Sequence, residues 1–207
     1  MRCSTQVIAG SAVCVLAGVA SATTVTIASP TDSYLINGAI FEGYGARTAG
    51  TGNINPFLRL NGNGPTVEGY NTSVNSGLPS DVDHSQTDSL LLAACDWAII
   101  NGVVYREFRL DINEPNNQNS QVSLDRVQIY TSSVGNLNPG LANLAGLGTL
   151  RFDMDVGVDG ASTVILDETS TGSGQFDMRM WIPNSLFAGL DPFTTYIYLY
   201  SRFGDSP

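Results

Sequence analysis

The chain has 207 residues, with 19 Asp and Glu against 9 Lys and Arg, so its formal net charge is −10. This charge repels nucleic acids and anionic membrane surfaces, which argues against partners of those two classes. The length is sufficient for one domain with its own hydrophobic core.

The first 22 residues have the pattern of a secretory signal peptide. Arg2 precedes an apolar run from Val7 to Ala20, and Ala20-Ser21-Ala22 has the small-residue pattern of a cleavage site. The apolar run is short for a membrane span, which needs roughly 20 residues, and an N-terminal anchor helix is the alternative interpretation. We therefore expect export, cleavage before Thr23, and a single domain over residues 23–207.

The cysteines and the histidine give little support to an enzyme. Cleavage would remove two of the three cysteines and leave Cys95, so we expect no intrachain disulfide. In "LLLAACDW" the thiol is expected on a buried strand, as a small apolar group. His84, the only histidine, lies between Asp83 and Ser85. Neighbours on an extended segment point in opposite directions, so these three do not form a catalytic triad.

Several segments alternate apolar and polar residues with a period of two, which indicates β-strands. From Val104 to Ile112 the even positions are apolar, with Arg106 the exception, and Asn101-Gly102 before this segment predicts a hairpin turn. Later, Leu150, Phe152 and Met154 share one predicted face, as do Phe176, Met178, Met180 and Ile182, and as do Ile197, Leu199 and Phe203. The other predicted strands are Tyr34–Phe41, Phe57–Leu60, Ser89–Cys95, Val122–Thr131 and Thr163–Asp167.

About ten strands with one apolar face each, and no helices to cover them, predict an all-β fold of two antiparallel sheets packed as a β-sandwich. The long connections around 61–88 and 132–148 are expected to cross between the sheets, as in a jelly roll. "PNSLF", from Pro183, is expected to form one helical turn.

Three carboxylates in "FDMDVGVDG" are candidate calcium ligands. Asp153 and Asp155 would project from one strand face, and Asp159 would lie in the following turn. Calcium takes six to eight oxygen ligands, but this spacing is not that of an EF-hand. The alternative is an ordinary polar strand face followed by an Asp-Gly turn, with Arg151 or Arg179 pairing across the strands.

Asp111, Asn113 and Glu114 form a second acidic group. They would offer oxygen ligands at a strand end, although their composition is also that of an ordinary turn.

The aromatic residues near the end of the chain suggest a ligand-binding face. Tyr196, Tyr198 and Tyr200 alternate along one strand, and Trp181 lies on the polar face of the strand before it. A row of rings could stack on the sugars of an extracellular polysaccharide. The alternative is that these tyrosines pack across strands on a half-buried face.

A series of short motifs resembles one bacterial group. In order, they are "INGAIF", "NPFLRL", "EGYNT", "FRLDINE", "SLDRVQIYTSSVGNL", "GLGTLRFDMD", "GSGQFDM", "WIPNSLF" and "YIYLYSRFG". They resemble the exported domain of PEP-CTERM proteins, the surface class that exosortases sort, over about Leu35 to Gly204. The resemblance implies a secreted or cell-surface protein of the extracellular or biofilm matrix, and it implies no known reaction.

The sequence departs from that group in two places. Gly172–Met178 stands where relatives have Gly-Ser-Gly-Ser-Gly-Asp-Met. Relatives also continue with Gly-Phe-Glu-Glu-Trp, a linker and a Pro-Glu-Pro tail with a membrane segment, and this chain does not contain them. The expectation is a chain truncated before its sorting tail, with membrane attachment only through that tail.

Overall fold

The structure, a computed structural model, describes residues 22–43, 56–61, 65–74, 87–112, 121–167 and 177–205. These residues form strands and short 3₁₀ turns, which confirms the all-β prediction. The strands are β1 Thr23–Ile27, β2 Ser33–Ile36, β3 Ala39–Gly43, β4 Thr66–Tyr70, β5 Leu90–Leu91, β6 Trp97–Ile100, β7 Val103–Leu110, β8 Gln121–Ser132, β9 Thr149–Asp153, β10 Ser162–Asp167, β11 Met178–Pro183 and β12 Tyr196–Asp205. The 3₁₀ turns are Leu92–Ala94, Leu141–Leu147 and Asn184–Phe187, the last at the predicted helical turn.

Two sheets pack together as the predicted β-sandwich. The seven-stranded sheet has the order β1-β10-β8-β12-β4, with β9 on the β10 side of β8 and β5 on the β4 side of β12. The five-stranded sheet has the order β2-β3-β11-β7-β6. Among the described residues, all strand pairings are antiparallel except that of β1 with β10, which is parallel.

The chain changes sheets after β1, β3, β5, β7, β10 and β11, so it alternates between the sheets in a jelly-roll-like manner. The two predicted crossovers are wrong. Segment 132–148 joins β8 to β9, which are neighbours in one sheet. Segment 61–88 contains β4 and leads to β5, also in that sheet.

The main core lies between the two sheets. Most strands contribute alternate apolar side chains to it, as the period-two pattern predicts, although no residue of β4 or β6 belongs to it. Full burial of each aliphatic or phenyl side chain contributes about 1.5–3 kcal/mol. Among the most buried are Ile36, Phe41, Leu92, Leu124, Ile129, Met154, Leu166, Ile182 and Ile197.

Two Asn-Gly turns shape the five-stranded sheet. Asn101 and Gly102 have φ values of 49° and 82° and join β6 to β7, which confirms the predicted hairpin. Asn37 and Gly38, with φ values of 47° and 89°, join β2 to β3 in the same way. The single strand predicted over Tyr34–Phe41 is therefore wrong, since this turn divides it.

Other strand predictions need correction. Phe57–Leu60 forms no strand, and Ser89–Cys95 contains the two-residue β5 followed by a 3₁₀ turn. β1 and β4 were not predicted. Their threonines, glutamate and glycine weaken the apolar alternation that the prediction relied on.

The register between β8 and β9 shifts at Ile129 and Tyr130. Phe152 and Met154 enter the core as predicted, but Leu150 is exposed and lies opposite Tyr130. A register shift of this kind changes the face on which a side chain lies, so the predicted grouping of Leu150 with Phe152 is wrong. Phe176, of the next predicted face, lies outside the described residues.

Asn71 connects the two short strands that share one edge of β12. Its amide nitrogen donates to the carbonyls of Asp88 and Ile197, both at 3.0 Å, and its oxygen accepts from the Leu199 amide at 2.6 Å. The side chain is fully buried. Asn71 thus satisfies backbone groups in the gap between β4 and β5, where no strand pairs with β12 among the described residues.

We expect Asn71→Ala to lower the free energy of unfolding by about 3 kcal/mol, because it leaves several backbone groups without a partner. That loss corresponds to a fall in Tm of roughly 6–12 °C for a chain of this size. Asn143→Ala, at an exposed asparagine, is the control and should change stability by less than about 0.5 kcal/mol. Equal Tm values for the two variants in thermal denaturation would contradict this role of Asn71.

Candidate functional site

The tyrosines of β12 lie beneath a covering segment, residues 133–148. Tyr198 and Tyr200 are buried, together with Tyr70 and Tyr130, in a second apolar cluster on the outer face of the seven-stranded sheet. Tyr196 is half-buried at its margin. The predicted row of exposed rings is therefore wrong, because the covering segment occupies the face on which a sugar would stack.

Hydroxyl groups of the tyrosines hold the covering segment in place. Tyr198 donates to the carbonyl of Val134 at 2.8 Å and accepts from the amide of Leu137 at 3.1 Å. Tyr70 donates to Asn138 Oδ1 at 2.7 Å and accepts from the amide of Gly140 at 2.9 Å. These bonds pair backbone groups that the covering segment would otherwise bury without a partner. The tyrosines therefore act as structural anchors.

Trp181 lies far from the β12 tyrosines, on the opposite side of the sandwich. It belongs to β11, whose Met180 and Ile182 enter the main core, so its indole faces outward from the five-stranded sheet. Its Nε1 donates to Glu42 Oε1 at 2.8 Å, and the guanidinium of Arg179 lies 5.2 Å from the ring centroid. The ring is buried. The predicted site of Trp181 with Tyr196, Tyr198 and Tyr200 is not assembled.

Asp153, the first predicted calcium ligand, is the centre of a buried polar network. Its Oδ2 accepts from Gln128 Nε2 at 2.6 Å and from Arg126 at 3.2 Å. Its Oδ1 accepts from the backbone amide of Asp155 at 3.1 Å. Gln128 in turn accepts from the hydroxyl of Tyr130 at 2.9 Å. Both carboxylate oxygens of Asp153 thus already accept hydrogen bonds from neighbouring protein groups.

Asp155 and Asp159 have separate structural partners. Asp155 pairs with Arg126 at 3.5 Å and accepts from the amide of Ser162 at 3.2 Å. Asp159 accepts from the backbone amide of Asn37 at 2.7 Å. Among the residues that the structure describes, no three His, Cys, Asp or Glu side chains are grouped to hold a metal ion. Asp153, Asp155 and Asp159 are not brought together as a calcium site.

Asn37, in the β2–β3 turn, forms hydrogen bonds with the loop that contains these aspartates. Its Nδ2 donates to the carbonyls of Met154 at 2.6 Å and Gly160 at 3.0 Å, and its Oδ1 accepts from the amide of Asp159 at 2.9 Å. The backbone of Gly157 approaches so closely that a Cβ there would lie 2.2 Å from Asn37 Oδ1. The "FDMDVGVDG" motif therefore links the two sheets through hydrogen bonds.

The remaining chemical candidates are only partly within the described residues. Burial raises the pKa of the Cys95 thiol to about 12, so the group is an uncharged thiol at neutral pH. It is buried as predicted, but it follows a 3₁₀ turn and is not on a strand. Asp111 lies just after β7, whereas His84, Asn113 and Glu114 lie outside the described residues.

The exposed apolar residues at the β6 end form a surface that the sequence analysis did not identify. We call it the Trp97 surface, and its members are Ala93, Ala94, Trp97, Ile99, Val104 and Phe193. Trp97 and Ile99 are 62% and 64% exposed, and Phe193 is 75% exposed. Trp97 and Ile99 lie on the face of the five-stranded sheet that elsewhere forms the core, but here that face is open to solvent.

Arg106 and one backbone hydrogen bond bring the elements of the Trp97 surface together. Arg106 is paired with Trp97 and donates to the carbonyls of Leu92 and Cys95, at 3.3 and 3.0 Å, and to Asn184 Oδ1 at 2.8 Å. This explains why a charged residue interrupts the apolar positions of β7. Ala93 donates from its amide to the Pro192 carbonyl at 2.9 Å, which places Phe193 beside the 3₁₀ turn that precedes Trp97.

The apolar alternation contained a signal for this surface. Trp97 and Ile99 alternate in "WAII", but the sequence does not show that this face of the strand is exposed to solvent.

Comparison with family models, with curated proteins and with solved structures finds no match. In the part of the chain that the structure describes, no helix has the length and apolar character of a membrane span.

The buried tyrosines predict a loss of stability at alkaline pH. Burial raises the pKa values of Tyr70, Tyr130, Tyr198 and Tyr200, and at Tyr200 the hydrogen bond to Glu68 raises the pKa further. Above pH about 10 the unfolded chain ionises its tyrosines while the folded chain keeps them neutral, so stability falls as pH rises.

We expect Tm to decrease between pH 9 and 11, with phenolate absorbance appearing together with unfolding. Tyr200→Phe removes one of the tyrosines with a raised pKa. It should therefore reduce the dependence of Tm on pH relative to the wild type. Tyrosines that titrate fully while the protein stays folded would contradict the prediction.

Proposed function

We propose that this chain is an exported bacterial protein of the cell surface or extracellular matrix, and that it acts by binding and not by catalysis. The observation that carries the proposal is the Trp97 surface. Contiguous apolar residues exposed on a folded protein typically mark an interaction site. Trp97 in particular offers a large ring of the kind that dominates binding energy in interfaces.

The sequence supports export. The pattern of residues 1–22 is that of a signal peptide, and β1 begins at Thr23, directly after the proposed cleavage point. Its amide donates to the Ala161 carbonyl at 3.0 Å, so the first strand would start at the new N-terminus. The resemblance to exported PEP-CTERM domains supports the same location. Membrane attachment would require a sorting tail, which sequencing of the gene downstream of Pro207 would test.

The environment of the reactive groups supports a non-catalytic role. Asp153, Asp155 and Asp159 accept hydrogen bonds that hold loops and strands together. The Cys95 thiol is buried and uncharged at neutral pH. The carboxylates hold the fold together and the thiol lies in the core, whereas a catalytic acid, base or nucleophile must reach a substrate.

Export can be tested in a Gram-negative host by mass spectrometry of the protein recovered outside the cytoplasm. We expect a mature N-terminus at Thr23. Leu16→Arg, a charge within the apolar core of the signal, should leave the chain unprocessed in the cytoplasm. Ser4→Arg makes the same change before that core and is the matched control, expected to be processed normally. Cytoplasmic wild-type protein that still begins at Met1 would contradict export.

A second candidate function is carbohydrate binding, favoured by the two exposed rings of the Trp97 surface, Trp97 and Phe193. The rings of Trp97 and Phe193 replace those of the buried tyrosines as the surface on which sugars would stack. The net charge of −10 disfavours acidic polysaccharides, so a neutral extracellular polysaccharide is the ligand class that fits.

Titration calorimetry with neutral polysaccharides tests this second candidate. Trp97→Ala should weaken binding by about tenfold or more with little change in Tm. Tyr198→Phe should instead lower Tm and leave the affinity of the folded protein unchanged, because it removes two partly buried hydrogen bonds and no exposed ring. Failure of every polysaccharide to bind the wild type would remove carbohydrate binding from consideration.

A further inference from the structure

The outer edge of β6 has backbone hydrogen-bonding groups that no described strand pairs with. The Glu107 amide donates to the Asp96 carbonyl at 2.9 Å, so the backbone groups of Asp96 point toward β7. Backbone groups of successive strand residues point to alternate sides, so those of Ala98 and Ile100 also point toward β7. The amides and carbonyls of Trp97 and Ile99 therefore point away from the sheet. Among the described residues no strand pairs with this edge.

The edge lacks the usual protection against strand pairing. Natural edge strands are commonly blocked by charged side chains, proline or a bulge. From Trp97 to Tyr105 the hairpin contains no charged residue and no proline. Its register with β7 is continuous, so it has no bulge.

We propose that two copies of this chain associate by antiparallel pairing of β6 with β6 about a two-fold axis at Ala98. In this register Trp97 of one copy lies opposite Ile99 of the other, and the amides and carbonyls of both residues point outward from the sheet. Each such pair exchanges two hydrogen bonds, so the contact contains about four. The five-stranded sheets would join into one continuous sheet, and this association does not depend on the proposed export or matrix role.

The side chains suit the same register. Trp97 and Ile99 lie on one face of β6, so the ring of one copy would cover the exposed Ile99 of the other. Asp96 would lie opposite Ile100 of the second copy, so like charges are not paired. Two chains with a net charge of −10 repel each other, and the uncharged hairpin provides a place where they can approach.

The available area indicates a weak dimer. Full coverage of Trp97, Ile99 and Val104 on both copies would bury roughly 700 Å² of side-chain surface. Stable interfaces usually bury more than about 1,000 Å², so association should depend on concentration, with Kd on the order of 10–100 μM.

Analytical ultracentrifugation of the purified protein over about 1–500 μM tests the proposal. We expect the mass to rise from monomer to dimer. Ile99→Lys should raise Kd by about tenfold or more, because it places a charge within the pairing edge. Leu35→Lys is the matched control and should dimerise as the wild type does. Leu35 is also an apolar edge-strand residue, 67% exposed, but it lies on β2 at the other edge of the same sheet.

Hydrogen exchange gives a readout specific to the register. Raising the protein concentration should protect the amides of Trp97 and Ile99, whereas those of Ala98 and Ile100 should already be protected by β7. A wild type that stays monomeric throughout would overturn the proposal, and so would dimerisation lost in Leu35→Lys but kept in Ile99→Lys. If the protein is monomeric and Trp97→Ala loses polysaccharide binding, the Trp97 surface binds a glycan instead.

Discussion

The antiparallel pairing of β8 with β12 is the contact on which the rest of the seven-stranded sheet depends. It runs from Tyr196 opposite Ser132 to Asp205 opposite Val122. β4 and β5 attach to β12, β9 and β10 attach to β8, and β1 attaches through β10. Segment 133–195 separates the two strands, so their pairing closes a long loop, which costs conformational entropy.

This pair of strands contributes side chains both to the main core and to the second apolar cluster. Ile129 and Ile197 face the five-stranded sheet, while Tyr130 and Tyr198 face the covering segment. Antiparallel sheets commonly have one solvated face, but here the outer face is also covered along the central strands. Tyrosine suits this position because its ring packs on the sheet while its hydroxyl bonds to the backbone of the segment above.

Polar side chains within this fold mainly satisfy backbone groups or each other. Asn71 completes the edge of β12, Asn37 holds the loop after β9, and Arg106 binds carbonyls where the chain passes between the sheets. Burial makes each of these bonds costly to lose, so they restrict the loops to one arrangement. The Trp97 surface differs from these regions, because its exposed side chains are apolar and most of them make no such bonds. A role in binding is consistent with that contrast.

Local pattern in the sequence determined several of the strands and one of the tight turns. Alternation identified β8, β10 and most of β7, and Asn101-Gly102 identified its hairpin, because these features depend on residues close together in the chain. The same turn rule applied to Asn37-Gly38 would have divided β2 from β3. Alternation shows which side chains share a face, but it does not show whether another segment covers that face. Tertiary structure alone decided that Tyr198 is buried and Trp97 exposed, because that outcome depends on contacts with segments distant in the sequence.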